Sequence, residues 1–227
     1  MISFLKYFFF IGKNWNYRLA FFTIFQEIKG EKKYNVDSID VDSLKNISVK
    51  GDNKKNASIY QGANYFLLEK SFTYLQNEAI GASFVDFGCG KGRALAVAAH
   101  YGFKQIKGIE FAPALCAKAN ENINRIQPLY PEVNFSISCN DALVYEVSNE
   151  DKVFYFFNPF DEVIMLSVVK NITQSLRQFP REVFVIYINP LHKEIFLSAG
   201  FQEEYYLQKL EYLEVSILSF TPEEEIY

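Results

Sequence analysis

The run Asp86-x-Gly88-x-Gly90-x-Gly92 falls where a short apolar stretch, residues 83 to 87, gives way to a helical pattern, residues 92 to 101. Glycines at such a junction permit positive φ and let backbone amides approach a ligand closely. A strand that turns through glycines into a helix is one unit of a βα alternation, and the rest of the chain carries further units. Short apolar runs at 106 to 110, 133 to 137, 152 to 157 and 182 to 188 are strand candidates, with helical stretches at 114 to 126, 161 to 178 and 191 to 199 between or after them. This alternation predicts an α/β fold with a mainly parallel sheet. Residues 201 to 220 break it, because two long strands joined tightly leave no room for a crossover helix, and they predict an antiparallel hairpin closing the sheet.

Upstream of the first strand, residues 60 to 78 place Tyr65, Leu68, Phe72 and Leu75 on one helical face. Residues 1 to 29 read as one or two aromatic-rich helices interrupted between Gly12 and Asn16 and ended by Gly30 to Lys33, and residues 34 to 56 as a polar loop or linker. The expected organisation is therefore a helical extension and linker over residues 1–56 and one catalytic domain over 57–227, with residues 222 to 225 as an acidic tail.

Charge divides along the same line. Residues 1 to 56 carry ten Lys or Arg against six Asp or Glu, a net +4, and residues 57 to 227 carry thirteen against twenty-one, a net −8. An acidic body does not favour a nucleic-acid partner. Three cysteines, Cys89, Cys116 and Cys139, match no zinc pair or disulfide framework and point to a reducing, cytoplasmic compartment; with only two histidines, no metal site is expected. The opening MISFLKYFFFIG is too short to span a bilayer and lacks the layout of a signal peptide. It is read as an aromatic helix packed on the domain, with contact to a membrane surface or a partner through residues 1–29, helped by Lys6, Lys13 and Arg18, as the alternative.

Twenty-two residues after Gly88, the second strand candidate ends in Glu110, whose carboxylate can accept from both hydroxyls of a ribose. Glycine loop and acid together make a nucleoside site, to which Cys89 and Phe111 are assigned as neighbours. A dinucleotide fold needs a third small residue in G-x-G-x-x-G/A, and here that position is Arg93. The G-x-G-x-G spacing instead resembles the first motif of class I methyltransferases, in which the loop passes under the methionine part of S-adenosylmethionine. The resemblance covers roughly residues 60 to 220. It implies a Rossmann-like, doubly wound seven-strand sheet, S-adenosyl-L-methionine as cofactor, Asp86 near the ammonium end of the cofactor and Asp141 against its adenine amine.

Asn158-Pro159-Phe160 at the end of the fourth strand resembles the [DN]-P-P-[YFW] signature of amino-group methyltransferases, less one proline. The resemblance implies that these three residues orient an acceptor amine and that Asn158 also borders the cofactor. It extends to the seven-strand protein-lysine methyltransferases related to histone methylation, and so implies a protein lysine as acceptor. Methylation of RNA, DNA or a small metabolite, or nucleoside binding without turnover, are the alternatives. Three other readings stay open: Asn158 as a cap of the following helix, Asp161 or Glu162 as an aid to proton loss or a first-turn acid, and Tyr60 and Gln61 as lid or linker.

Overall fold

The computed structural model describes residues 2–39, 62–157 and 160–222. The expected domain boundary near residue 57 lies outside these residues, as do Tyr60, Gln61, Asn158, Pro159 and most of the acidic tail. Seven strands form one sheet in the order β3-β2-β1-β4-β5-β7-β6, where β1 is Ser83–Phe87, β2 Gln105–Glu110, β3 Asn134–Cys139, β4 Val153–Phe157, β5 Val183–Ile188, β6 Gln202–Lys209 and β7 Leu213–Phe220. The first five strands pair in parallel, and β7 pairs antiparallel with both β5 and β6. The sheet is the Rossmann-like one expected, hairpin included.

Burial explains why the strands read so differently in the sequence. β1 and β5 are buried at every position; β5 is a continuous apolar run, and β1 is apolar but for Ser83 and Asp86. The edge strands β3 and β6 alternate or face solvent. The crossover helices α5 (Arg93–His100), α6 (Pro113–Ile126), α7 (Glu162–Gln178) and α8 (Lys193–Ser198) follow β1, β2, β4 and β5. The chain lays β2 and β3 on one side of β1 and then returns to lay β4 on the other. The crevice beyond the carboxyl ends of β1 and β4 is therefore the topological switch point, where open α/β sheets bind ligands.

Among the described residues four helices precede β1. These are α1 (Ile2–Asn14), α2 (Tyr17–Tyr34), α3 (Tyr65–Tyr74) and the single turn α4 (Gln76–Ala79). Tyr65, Leu68, Phe72 and Leu75 are all buried, as their spacing predicts. α2 differs from expectation by running through Gly30 to Lys33 rather than ending there. Gly30 lies flat against the Tyr65 ring, where a Cβ would come within 2.2 Å of it, so the glycine permits close packing and not a turn. Lys32 and Lys33 occupy the last turn, where cations suit the helix dipole, and Asn35 closes the helix with φ 54°.

Candidate active site

At the carboxyl end of β1 the chain turns through Gly88, Gly90 and Gly92, all at positive φ (82°, 53° and 79°), a conformation that side chains with a Cβ rarely adopt. Glu110 ends β2 beside this turn. One of its carboxylate oxygens accepts the Gly90 N–H and the other the Ala112 N–H, both at 2.9 Å. The acid predicted to meet a ribose thus also holds the glycine loop in shape. Burial pushes the Glu110 carboxyl up, against the pull of those N–H donors.

Asp86, in β1 opposite Gly108 of β2 and Tyr155 of β4, is buried, and its Oδ1 has no hydrogen-bond partner among the described residues. Burial, reinforced by the neighbouring Glu110, pushes its carboxyl well above the usual carboxylate range. A buried acceptor without a donor is costly and fits a site that awaits a cation. Cys89 packs in the turn with its thiol held well up by burial and by the two carboxylates, so it is not a thiolate nucleophile. Its Sγ occupies the space where a Cβ on Gly108 would sit, at 2.7 Å.

Asp141 follows β3, and its side chain accepts the Leu143 N–H at 2.9 Å, capping the short turn Ala142–Val144. Phe111 sits in the bend after β2, half-buried. Asn158 and Pro159 lie outside the described residues, while Phe160 is half-buried against the core between the sheet and α7. The cap of α7 is Asp161, whose side chain accepts the Ile164 N–H at 3.0 Å, with Glu162 in the first turn.

Arg93, which sequence reasoning used only as a misfit to the dinucleotide pattern, has a part of its own. It is buried, and its guanidinium meets the Glu27 carboxylate of α2 at 2.9 and 2.6 Å while donating also to the Ala63 carbonyl and Ser38 Oγ. It lies 4.4 Å from the centre of the Tyr65 ring. Gly62 is small because a Cβ there would come within 2.5 Å of the guanidinium carbon. The residue after the glycine loop is in this way pinned to the N-terminal helices.

Glu27 also lines a cavity of about 310 Å³. Its walls come from α1, α2 and the link between them (Tyr7, Glu27, Trp15), from Asn64, from the ends of β4 and β5 (Phe157, Asn189) and from the β6–β7 turn and the start of β7 (Glu211, Tyr212, Glu214). Asn64 caps α3 through its oxygen, which accepts the Phe66 N–H, but its buried amide nitrogen has no partner among the described residues. Sequence reasoning missed this cavity because its walls are scattered over the whole chain. One signal was present: the Asn-Pro pair after β4 recurs after β5 as Asn189-Pro190, and Asn189 adopts φ 51° on the cavity wall.

Residues 85–186, from β1 into β5, match the family model described as a methyltransferase domain. Over these residues the chain is a methyltransferase domain, and its sheet is the class I methyltransferase fold. Its cofactor is S-adenosylmethionine, and the residues around the β1 turn fit it: the unpaired Asp86 Oδ1 can accept from the ammonium group, and the buried Glu110 carboxylate ends β2 beside the glycine turn. Solved structures share the fold. A candidate methyltransferase of Escherichia coli superposes with a TM-score of 0.55 at 12% identity over 69% of this chain and 87% of its own. Magnesium protoporphyrin IX methyltransferase from Synechocystis with bound cofactor gives 0.51 at 12% over 70% and 85%. The ribosomal protein L11 methylase of Lactobacillus delbrueckii gives 0.50 at 16% over 71% and 81%. No curated protein matches the chain in sequence.

Proposed function

We propose that this methyltransferase domain transfers a methyl group to an amino group, with a protein lysine side chain as the acceptor. The observation that carries this reading is the cavity at the ends of β4 and β5, which is aromatic and acidic together. The names of the structural neighbours range from a porphyrin methyltransferase to a ribosomal protein methylase, so fold alone leaves the acceptor open. The cavity narrows it. At about 310 Å³ it lies at the small end of ligand pockets, roughly 300 to 1,000 Å³, and suits one side chain inserted from a larger partner. Trp15, Tyr7, Tyr212 and Phe157 offer faces to an alkyl stem and its ammonium head, and Glu211 and Glu214 attract the charge.

The bound cofactor supplies a sulfonium methyl group, and transfer is an in-line displacement that needs positioning more than covalent help. Asp86 and Glu110 would hold the ammonium and ribose ends, with Phe111 and Asp141 bordering the adenosine and Gly88, Cys89, Gly90 and Gly92 forming the turn beneath. The acceptor's ammonium would first give up one proton to Glu211, Glu214 or water; Asn158 and the Pro159 carbonyl would then accept hydrogens from the neutral amine and aim its lone pair at the methyl group, with Phe160 closing the site behind them. The unpaired Asn64 amide nitrogen supports a polar acceptor, since it can donate to a carbonyl of the incoming peptide. The test is isotopic transfer from labelled S-adenosylmethionine into size-fractionated cell extract, followed by hydrolysis of the labelled material. Label recovered as methylated lysine supports the reading; label in nucleic acid or in small molecules replaces it.

A further inference from the structure

α2 has two faces of opposite character. Leu19, Ala20, Thr23, Glu27, Gly30 and Tyr34 are buried and, at about 100° per residue, share one side of the helix. Tyr17, Phe21, Phe25 and Ile28 share the other, with 55, 72, 57 and 53% of their surface exposed. A helix that ends its role at the domain carries polar residues on that side. α1 repeats the arrangement, with Tyr7 and Ile11 buried and Leu5 and Phe9 exposed. A continuous apolar row of this kind marks an interaction site.

Charge identifies what the row meets. Over residues 4 to 34 every exposed charged side chain is basic: Lys6, Lys13, Arg18, Lys29, Lys32 and Lys33. The two acids of this segment turn inward, Glu27 onto Arg93 and Glu31 onto Ser38 and Tyr65. On α2, Arg18, Lys29 and Lys32 fall within or beside the arc of the apolar row. A second copy meeting this face by two-fold symmetry would set basic hairpin against basic hairpin. Among the described residues no helix is long and apolar enough to cross a membrane. An amphipathic helix with aromatic residues on one face and lysines along its border lies in the membrane interface.

We propose that α1 and α2 dock this protein on an anionic membrane surface, with Tyr17, Phe21, Phe25 and Ile28 entering the headgroup region and Arg18, Lys29 and Lys32 meeting anionic headgroups. The inference is independent of the acceptor, since none of these residues lines the cavity. The test is co-sedimentation of the full chain with phosphatidylcholine vesicles that carry or lack phosphatidylserine. The protein is expected to pellet with the anionic vesicles and to be released by salt. Phe21→Glu with Phe25→Glu should lower partitioning at least about tenfold, and Lys29→Glu with Lys32→Glu by about fivefold per charge. Both double variants should keep the melting temperature and cofactor affinity of the parent. Equal pelleting with neutral vesicles, none with either, or unchanged pelleting of the phenylalanine variant would overturn the proposal. So would a dimer that the phenylalanine variant dissociates, or an RNA oligonucleotide held in preference to vesicles.

Discussion

Arg93 and Glu27 form a buried, two-pronged ion pair, 2.6 and 2.9 Å long, between the first residue after the glycine loop and the middle of α2. Glu27 also lines the cavity assigned to the acceptor. One ion pair therefore links the cofactor loop, the N-terminal helices and the acceptor wall. Two charges taken out of water together gain little net stability, but removing one strands the other. The pair is better understood as fixing how α2 sits on the domain.

Arg93→Met should consequently destabilise the protein by about 3 to 5 kcal/mol, because Glu27 would stay buried without its cation. Changing both, Arg93→Met with Glu27→Leu, should restore most of that loss. Urea unfolding of the three proteins measures it. A single variant within about 1 kcal/mol of the parent would remove the clamp from the account.

Glu110→Ala tests the nucleoside end. It removes a charged acceptor for the ribose, so cofactor affinity should fall by about 1.5 to 3 kcal/mol for each hydrogen bond lost. The bonds from the Gly90 and Ala112 N–H groups go too, and the melting temperature should drop even without cofactor. Calorimetry and melting separate the two effects. Unchanged affinity would place the nucleoside elsewhere.

The sheet was legible because its strands are either fully buried or tightly paired, and both leave strong patterns: β1 occupies residues 83 to 87 as expected, and the terminal hairpin is where the lack of a crossover put it. The glycine turn and Glu110 were legible because they depend on local backbone geometry and a fixed strand length. The Glu27–Arg93 pair and the cavity were not. Their members are separated by 66 residues or more than a hundred, and nothing in a linear spacing reports such contacts. The end of α2 was misplaced for a related reason: Gly30 looks like a stop in sequence, yet it is small because Tyr65 packs on it.

Asp86 makes stability depend on pH in a specific sense. Its carboxyl is harder to ionise folded than unfolded, so the folded state binds more protons. Stability is then highest below the ordinary carboxylate value of about 4 and is lost as pH rises toward the raised folded value. Without cofactor, Asp86→Asn should gain on the parent as pH increases through that window, while binding S-adenosylmethionine more weakly because the ammonium loses its counter-charge. Melting curves across pH and calorimetry read both. A parent-to-variant difference that stays flat with pH would mean that Asp86 is ionised without a partner.

The structure makes Asn158 easier to test, since the cap of α7 belongs to Asp161. Asp161→Ala should cost about 1 kcal/mol of stability, the usual loss for a helix cap, and leave turnover per folded molecule nearly unchanged. Asn158→Ala should do the reverse. If its side chain aligns the acceptor amine, kcat falls while cofactor affinity and melting temperature stay close to the parent's, because the interaction is made with the acceptor alone. Paired melting and single-turnover measurements on the identified acceptor compare the two variants. Wild-type turnover in Asn158→Ala would rule out the amine-orienting role and shift the inference to a hydroxyl or carbon acceptor.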